Sequence, residues 1–541
     1  MESAEKISKY YHTLRYLKPR QTIGRSFAGL KRRLMLYQST GIPEKLTGSL
    51  KHRTNFLRHD PWNSRNSILE GEFTFLNRTR KYEQAIDWNS ADMPMLWRFN
   101  LHYFGYLHLL EDGEKESICL DWIRKNPEGK TIGWHPYPLS LRITNWSKEA
   151  LSRPEVLVSL YSQAAFLYRN LETYHPGNHL LENARALIFA GLFFFGEGEA
   201  MRWLRRGVQI IEKELPVQVL PDGGYFERTT MYHALMLENF LDILNVMEEA
   251  YIRIPGMKEK ACKMGDFLYS LTHPGGEISL FNDSTLEIAP PSGKILRYLK
   301  ELTGYTPVYR AEFPETGYFV HRGSNLCLII DGGILGPDYL PAHSHADIFS
   351  YELSLFNEKI ITDSGVYEYQ EGPMRNYVRS TRAHNTVAVD HLDQAECWGS
   401  FRLAKRFPPK DVRFFRESCR STFQGRFEGY RSLIGHGITH HRRIDADEDK
   451  GVVSVQDTIK GEGRHLAESF IHLNPSLSLT SEGNKFIIKT GGKTIKIIPE
   501  SGMPSVEDGW YCDQFGRKLE SRVIVLSQDT LPAFISYRIE F

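Results

Sequence analysis

The sequence contains no Cys-x-x-Cys pair, and its six cysteines, at 119, 262, 327, 397, 419 and 512, are scattered singly along 541 residues. Such spacing builds no disulfide framework, so free thiols in a reducing compartment are expected. Long apolar runs are also missing. The nearest, ALIFAGLFFFG, is well short of the ~18 residues that a membrane span requires. The opening stretch, MESAEKISKYYHTLRYLKPR, is charged and lacks the apolar core of a secretory leader. A cytoplasmic chain is therefore expected, or a periplasmic or secreted one if a leader has been trimmed. An excess of one charge is absent too: 67 Lys and Arg stand against 66 Asp and Glu, a formal net charge of +1. No global field then recruits nucleic acid or an acidic membrane surface, and an anionic ligand has to be met by a local positive cleft. The basic run KPRQTIGRSFAGLKRR reads as a solvated helix face. Low-complexity tracts, heptads and short repeats do not occur.

What is present describes an ordinary globular chain, 41% apolar and 25% charged, of a length that calls for two large domains. Aromatics reach 12%, which suits a sugar-binding cleft and a large core equally. Residues 1–315 carry apolar residues at three- and four-residue spacing. Examples are PEVLVSLYSQAAFLYRNLETY, HLLENARALIFAGLFFFGEGEAMRWLRRGVQIIEKEL and MYHALMLENFLDILNVMEEAY. Each has one apolar stripe and predicts successive antiparallel helices. From 316 to 541 the texture changes to short alternating runs bounded by Gly, Asn and Asp, and KTGGKT is a direct hairpin signal. The expected architecture is α+β and multidomain: helices first, then stacked antiparallel sheets.

Chemistry-bearing residues concentrate in 341–390, which holds His343, His345, Asp347, Asp363, Tyr367, Arg382 and His384. Read as a strand, HSH sends His343 and His345 to one face. ELSLFNEKIITDSG reads as two strands joined at Asn357-Glu358, with Asp363 at the rim of the second. His345, Asp363 and His384 form an N/O/N set of the kind that holds zinc or a similar divalent ion, which leaves His343 and Tyr367 as titratable groups beside it. In the helical half, Asn178 stands as an N-cap before HLLENARAL, with His179 and Glu182 on one helix face. Tyr232 and His233 open another helix. Trp97, and then Trp134, Arg142, Asn145 and Trp146, offer aromatic faces with an Arg and an Asn. That combination fits a carboxylated sugar and fits a buried helix seam equally well.

Taken in order, WHPYPLSLRITNW, GNHLLE, YFERTTMYH, AHSHAD, ITDSGVYEY and RSTRAHNTV resemble the heparinase II/III family of polysaccharide lyases and its relatives among the alginate lyases. The resemblance spans residues ~90 to ~395, and HxHxD followed by AHNTV carries most of it. It implies an incomplete (α/α) toroid followed by an antiparallel β-sandwich, with the active cleft between them. It further implies β-elimination on a uronic-acid polysaccharide, whether a glycosaminoglycan (heparan sulfate, hyaluronan, chondroitin) or alginate. By position, Asn178, His179 and Glu182 match the carboxylate-facing residues, Tyr232 the catalytic tyrosine, His343 the catalytic histidine and Tyr367 a second cleft tyrosine. His345, Asp363 and His384 match the metal set, a mainly structural ion taken as zinc, with manganese or calcium as alternatives. Trp97, Trp134, Arg142, Asn145, Trp146 and Arg382 are the expected substrate contacts. Two rivals stay open. One is a glycoside hydrolase using two carboxylates among Glu182, Asp222 and Glu227. The other is a non-catalytic carbohydrate-binding protein of exopolysaccharide assembly. Oligomeric state is open.

Overall fold

The computed structural model describes residues 2–24, 41–149, 151–435 and 437–541. Residues 25–33, most of the basic run noted above, lie outside that set. No helix among the described residues is long and apolar enough to cross a membrane.

The helical part is built from hairpins laid side by side. Met95–Tyr103, Pro136–Lys148, Asn178–Phe193, Thr230–Glu249 and Ser292–Thr303 pack each on the next as one row. Asp112–Lys125, Pro154–Arg169, Ala200–Gln218 and Met257–Ser270 alternate with them in sequence and form the outer row. Composition distinguishes one inner helix from its outer partner. HLLENARALIFAGLF has almost no polar face, and every residue of Asn178–Phe193 except His179 is buried. Ala200–Gln218 is instead amphipathic, burying Trp203, Leu204, Gly207, Ile210, Ile211 and Leu215 at three- and four-residue spacing. A (α/α) toroid results, with the inner row free to carry polar residues at its ends. One departure from the helical expectation is a hairpin, Glu72–Phe75 with Arg78–Lys81, turned at Leu76 and Asn77, both with φ of 56°. It lays Phe73 and Phe75 on Tyr106 and Trp97.

The last helix of the toroid ends at Thr303, and the sheet-rich half begins at Glu312. Five antiparallel strands come first: Glu312–Phe313, Tyr318–Arg322, Leu326–Asp331, Tyr351–Leu355 and Glu358–Ile361. An eight-stranded and a four-stranded sheet follow, also antiparallel. One apolar core joins the three, with Leu328 and Leu353 from the first, Phe423, Val455 and Ile535 from the second, and Ile471 and Ile524 from the third. The KTGGKT hairpin forms as expected, Thr490 opposite Lys493 across two glycines of positive φ. The turn after ELSLF falls one residue earlier than expected, on Phe356 and Asn357 (φ 53° and 67°). A separate apolar seam of Phe267, Leu271, Phe281, Phe313 and Tyr318 fastens the first sheet to the toroid.

Two glycines let the inner helix that bears Asn178 sit close to its outer partner. A Cβ at Gly207 would meet Ala184 O and Ile188 Cγ1, each at 2.7 Å; one at Gly191 would meet Leu204 N at 2.7 Å. Gly207→Ala is therefore expected to destabilise the fold by about 1–3 kcal/mol through overpacking. Calorimetry should show a Tm lower by several degrees, whereas Gly113→Ala, where a Cβ meets nothing within 4 Å, should leave it in place.

Candidate active site

A cavity of about 900 Å³ opens where the inner-row helices face the loops of the first sheet. Asn178, His179, Glu182, Glu227, Tyr232, His343, Tyr367 and Tyr369 all line it. Tyr232 lies in the first turn of Thr230–Glu249, held there by Thr229, whose hydroxyl accepts from the Tyr232 N–H at 3.1 Å. His233 beside it is structural, taking the Tyr225 N–H at 3.2 Å and facing Met264 O at 2.9 Å. The N-cap of Asn178–Phe193 is Gly177, not Asn178. Gly177 has φ 142°, and a Cβ there would meet Glu227 Oε1 and Leu340 Cδ2 at 2.7 Å, so only glycine fits. Asn178 is thereby moved into the helix, where its Oδ1 accepts from the His179 N–H at 2.9 Å.

His343 and His345 do not lie on a strand; residues 341–350 form a loop. Around the two histidines its backbone is tied to neighbouring segments instead of a sheet. The Asp283 N–H donates to His343 O (3.0 Å), the His345 N–H to Asn282 Oδ1 (3.0 Å) and the Ala346 N–H to Arg379 O (3.1 Å). Both imidazoles nevertheless reach one carboxylate, Asp283, His343 through Nδ1 at 2.9 Å and His345 through Nε2 at 2.8 Å. Arg375 adds a donor at 2.9 Å. Burial alone would raise the pKa of Asp283, but Arg375 and the two histidines hold it well below the usual carboxylate range. Facing an ionised acceptor, His343 carries its proton on Nδ1. Its other nitrogen, Nε2, points into the cleft, 3.6 Å from Glu227 Oε2.

Across the junction, the rings of Tyr232 and His343 lie with centroids 4.1 Å apart. The Tyr232 hydroxyl shares a hydrogen bond of 3.2 Å with Tyr369. Burial, then Tyr369, Asp283 and Glu227, all push the Tyr232 pKa well above 10, so the phenol is neutral. The positive neighbour that would make it a phenolate is not what the site supplies. Opposite, His179 stacks on Tyr137 at 4.2 Å and meets Glu172 Oε1 through Nδ1 at 3.1 Å. Burial opposes its charge, but Glu172, with Glu227 and Glu182, raises its pKa above the ordinary value. Glu182 is committed sideways, accepting from Asn239 Nδ2 at 2.6 Å and pairing with Arg185 at 2.9 Å.

Several expected substrate contacts are corrected by burial. Trp97, Arg142 and Trp146 are fully buried, and Trp134 nearly so. Trp97 donates its indole N–H to Arg78 O and Trp134 to Asn126 O. Arg142 lies 3.8 Å over Trp122 and bonds Gln163 and Gly133 O. Trp134, Arg142 and Trp146 follow the helix-seam reading; Trp97 borders the cavity but is fully buried, and half-buried Asn145 reaches it with Nδ2 on Tyr103 O at 2.8 Å. Arg382 is outside the cleft, paired with Glu507 over Phe470. Tyr367 lines the cavity, but the hydroxyl beside Tyr232 belongs to Tyr369, two residues on. The sheet side adds Trp398 and Phe401, the latter 41% exposed and 5.1 Å from Tyr369. Sequence order carried no signal for Asp283 or Arg375, because they act on His343 and on each other across 60 and 92 residues, nor for Phe401, whose ring partner Tyr369 lies 32 residues away.

Behind His343, the expected metal set is buried and drawn into pairs: His384 Nδ1 meets Asp363 Oδ2 at 2.7 Å, while His345 holds Asp283. Among the described residues no three His, Cys, Asp or Glu side chains are arranged to hold an ion. Three buried atoms nonetheless lack partners, His345 Nδ1, His384 Nε2 and Asp347 Oδ2, and the two imidazoles are 5.3 Å apart.

Residues 117–303 match the family model "Heparinase II/III N-terminus", and 306–537 match "Heparinase II/III-like, C-terminal". A heparin-sulfate lyase of Bacteroides stercoris is 27% identical over 392 residues, 58% of this chain and 57% of that protein. The chain spans about half the length of the curated relatives it matches. Among solved structures, a heparinase III superposes with TM-score 0.65 at 19% identity, covering 90% of this chain and 86% of the other. Heparan sulfate lyase HepC of Pedobacter heparinus gives 0.60 at 18%, covering 88% and 82%. Both share the succession of helical toroid and antiparallel sheets. With both halves of the chain matched, from the toroid to the last sheet, the protein belongs to the heparinase II/III family.

Proposed function

We propose that the chain is a polysaccharide lyase that cleaves a uronic-acid-containing glycosaminoglycan by β-elimination, leaving an unsaturated uronate end. The observation that carries this reading is the Tyr232–His343 pair, a neutral phenol and a free imidazole nitrogen facing one cavity from opposite domains. The names of the relatives, heparin-sulfate lyases, favour a glycosaminoglycan over alginate. A hydrolase would need two carboxylates flanking the bond. Asp222 is instead bound to the Thr316 and Gly224 N–H groups, and Glu182 is ion-paired.

β-Elimination removes the proton at C5, α to the sugar carboxylate, and expels the glycosidic oxygen from C4. While the carboxylate keeps its full charge, the C5 proton is poorly acidic, so donors must face that group. Asn178 and the charged imidazole of His179 stand ready on one helix N-terminus for this task. His343 Nε2 takes the proton, and Asp283 stabilises the imidazolium that forms. Tyr232, kept neutral, gives its proton to the departing oxygen and can be refilled through Tyr369.

We propose that a divalent metal, zinc ahead of manganese or calcium, draws on the residues behind His343, which this structure holds in pairs and not as a ready ligand set. What supports it is the unpartnered set His345 Nδ1, His384 Nε2 and Asp347 Oδ2, since buried polar atoms ordinarily find partners. His345 and His384 would ligate, with Asp363 or Asp347 supplying oxygen. Such an ion would contribute rigidity to the loop that aims His343.

Three outcomes test this reading. Incubation with a panel of uronate polymers should raise ultraviolet absorbance from the new C4–C5 double bond; chain shortening without it would indicate hydrolysis. Tyr232→Phe should lower kcat by roughly 10²–10⁴-fold, and Asp283→Asn by a similar factor, with oligosaccharide affinity nearly kept; near-normal turnover of either removes that residue from the scheme. His345→Ala should lower metal content and Tm together, and unchanged metal content rejects the ligand assignment.

A further inference from the structure

One carboxyl in the cleft is left without a task by this scheme. Glu227 is 2% exposed and lines the cavity, and its Oε2 has no hydrogen-bond partner. Its Oε1 lies against Gly177, and the Asn178 backbone N–H donates to the carboxyl. From the toroid it is faced by Asn178 and His179, from the sheet-side loop by His343, and from the connecting segment by Asp283. Among the described residues no lysine or arginine forms an ion pair with it, in contrast to Glu182 and its Arg185.

We infer that Glu227 is a catalytic residue: a neutral carboxylic acid whose O–H donates to the uronate carboxylate, completing the donor set of Asn178 and His179. The inference rests on the lyase reading of the same cleft. An unpartnered oxygen buried this deeply is costly unless a ligand satisfies it, and the group due to sit beside Asn178 and His179 is the sugar acid. Two ionised carboxylates cannot share that space, so a proton must lie between them. Burial supplies the reason it is on Glu227, pushing its pKa up against the opposing pull of His343 and His179. The alternative, an ionised Glu227 paired with His343 Nε2, would place anions at both imidazole nitrogens and keep the base protonated. No proton leaves Glu227 during the reaction. As C5 is deprotonated, charge builds on the sugar carboxylate and the hydrogen bond strengthens, which favours the transition state over bound substrate.

The test compares Glu227→Gln, an isosteric N–H donor, with Glu227→Ala. Binding of a uronate tetrasaccharide is measured by calorimetry, and turnover by ultraviolet absorbance on a uronate polymer and on its methyl ester. Glu227→Gln should bind within about threefold of wild type and keep a tenth or more of kcat, whereas Glu227→Ala should bind roughly tenfold more weakly and lose about 100-fold in kcat. On the methyl ester, whose acid is already neutralised, the Glu227→Ala deficit should shrink to about threefold. The inference is overturned if Glu227→Gln is as impaired as Glu227→Ala, or if the Glu227→Ala deficit is the same on acid and ester. Wild-type binding without ultraviolet product would count against the lyase reading alone, because the order of the two variants in binding still decides the role of Glu227.

Discussion

A single buried carboxylate, Asp283, holds the two halves of the site in register. It leaves the toroid on the segment that follows Met257–Ser270 and accepts from His343, His345 and Arg375, all of which belong to the sheet half. Burying one charge is expensive, and a cluster of this kind is sustained only when every partner is in place. Asp283 and Arg375 are both fully inaccessible on their side chains, so loss of either would strand the other. Arg375 in turn donates through Nε to Ser400 O at 2.9 Å, next to the exposed Phe401. The base, its tautomer and the aromatic rim of the cleft thus hang from one ionised group.

The toroid contributes something different. Two of its inner helices, Asn178–Phe193 and Thr230–Glu249, start at the cavity, so their N-terminal turns face whatever binds there. Helix N-termini favour anions, and here the first turns carry Asn178, His179 and Tyr232 as well. Because Asn178–Phe193 and Thr230–Glu249 are buried along most of their length, these helices cannot shift without exposing core. Precision at their ends follows from packing in their middles.

The two-part architecture was legible because hydrophobic period is a local property. Stripes at three and four residues marked Ala200–Gln218, and alternation with paired glycines marked the hairpin at Gly491 and Gly492. Tyr232, His343, Asn178 and His179 were legible through resemblance, and the cavity brings them together. The aromatic platform was not, since a tryptophan sealed in a helix seam and one facing a sugar have the same local sequence. Only burial separates Trp146 from Phe401. The strand expected for HSH failed for a related reason. Alternating polarity describes the residues, but the backbone groups of 343–346 find partners on Asn282, Asp283 and Arg379 instead of a neighbouring strand. Asp283 was invisible because FNDST carries no pattern; its meaning arises from residues 60 to 92 positions away.

The protonation states that these contacts impose are what divide the labour. Tyr232 is buried among acidic neighbours and pushed up, so it can serve as a donor but not as a resting base. Asp283 is pushed down by cationic and hydrogen-bonding partners, so it stays an acceptor and leaves His343 one free nitrogen. Burial opposes charge on His179, but Glu172 outweighs it and pushes its pKa up, which makes it a suitable neighbour for a sugar acid. The groups proposed as acid, base and anion holder are separated by environment, although two of the three are imidazoles. Glu172 and Asp283, neither of which needs to touch substrate, therefore set how each histidine is held at the cleft, each by its Nδ1.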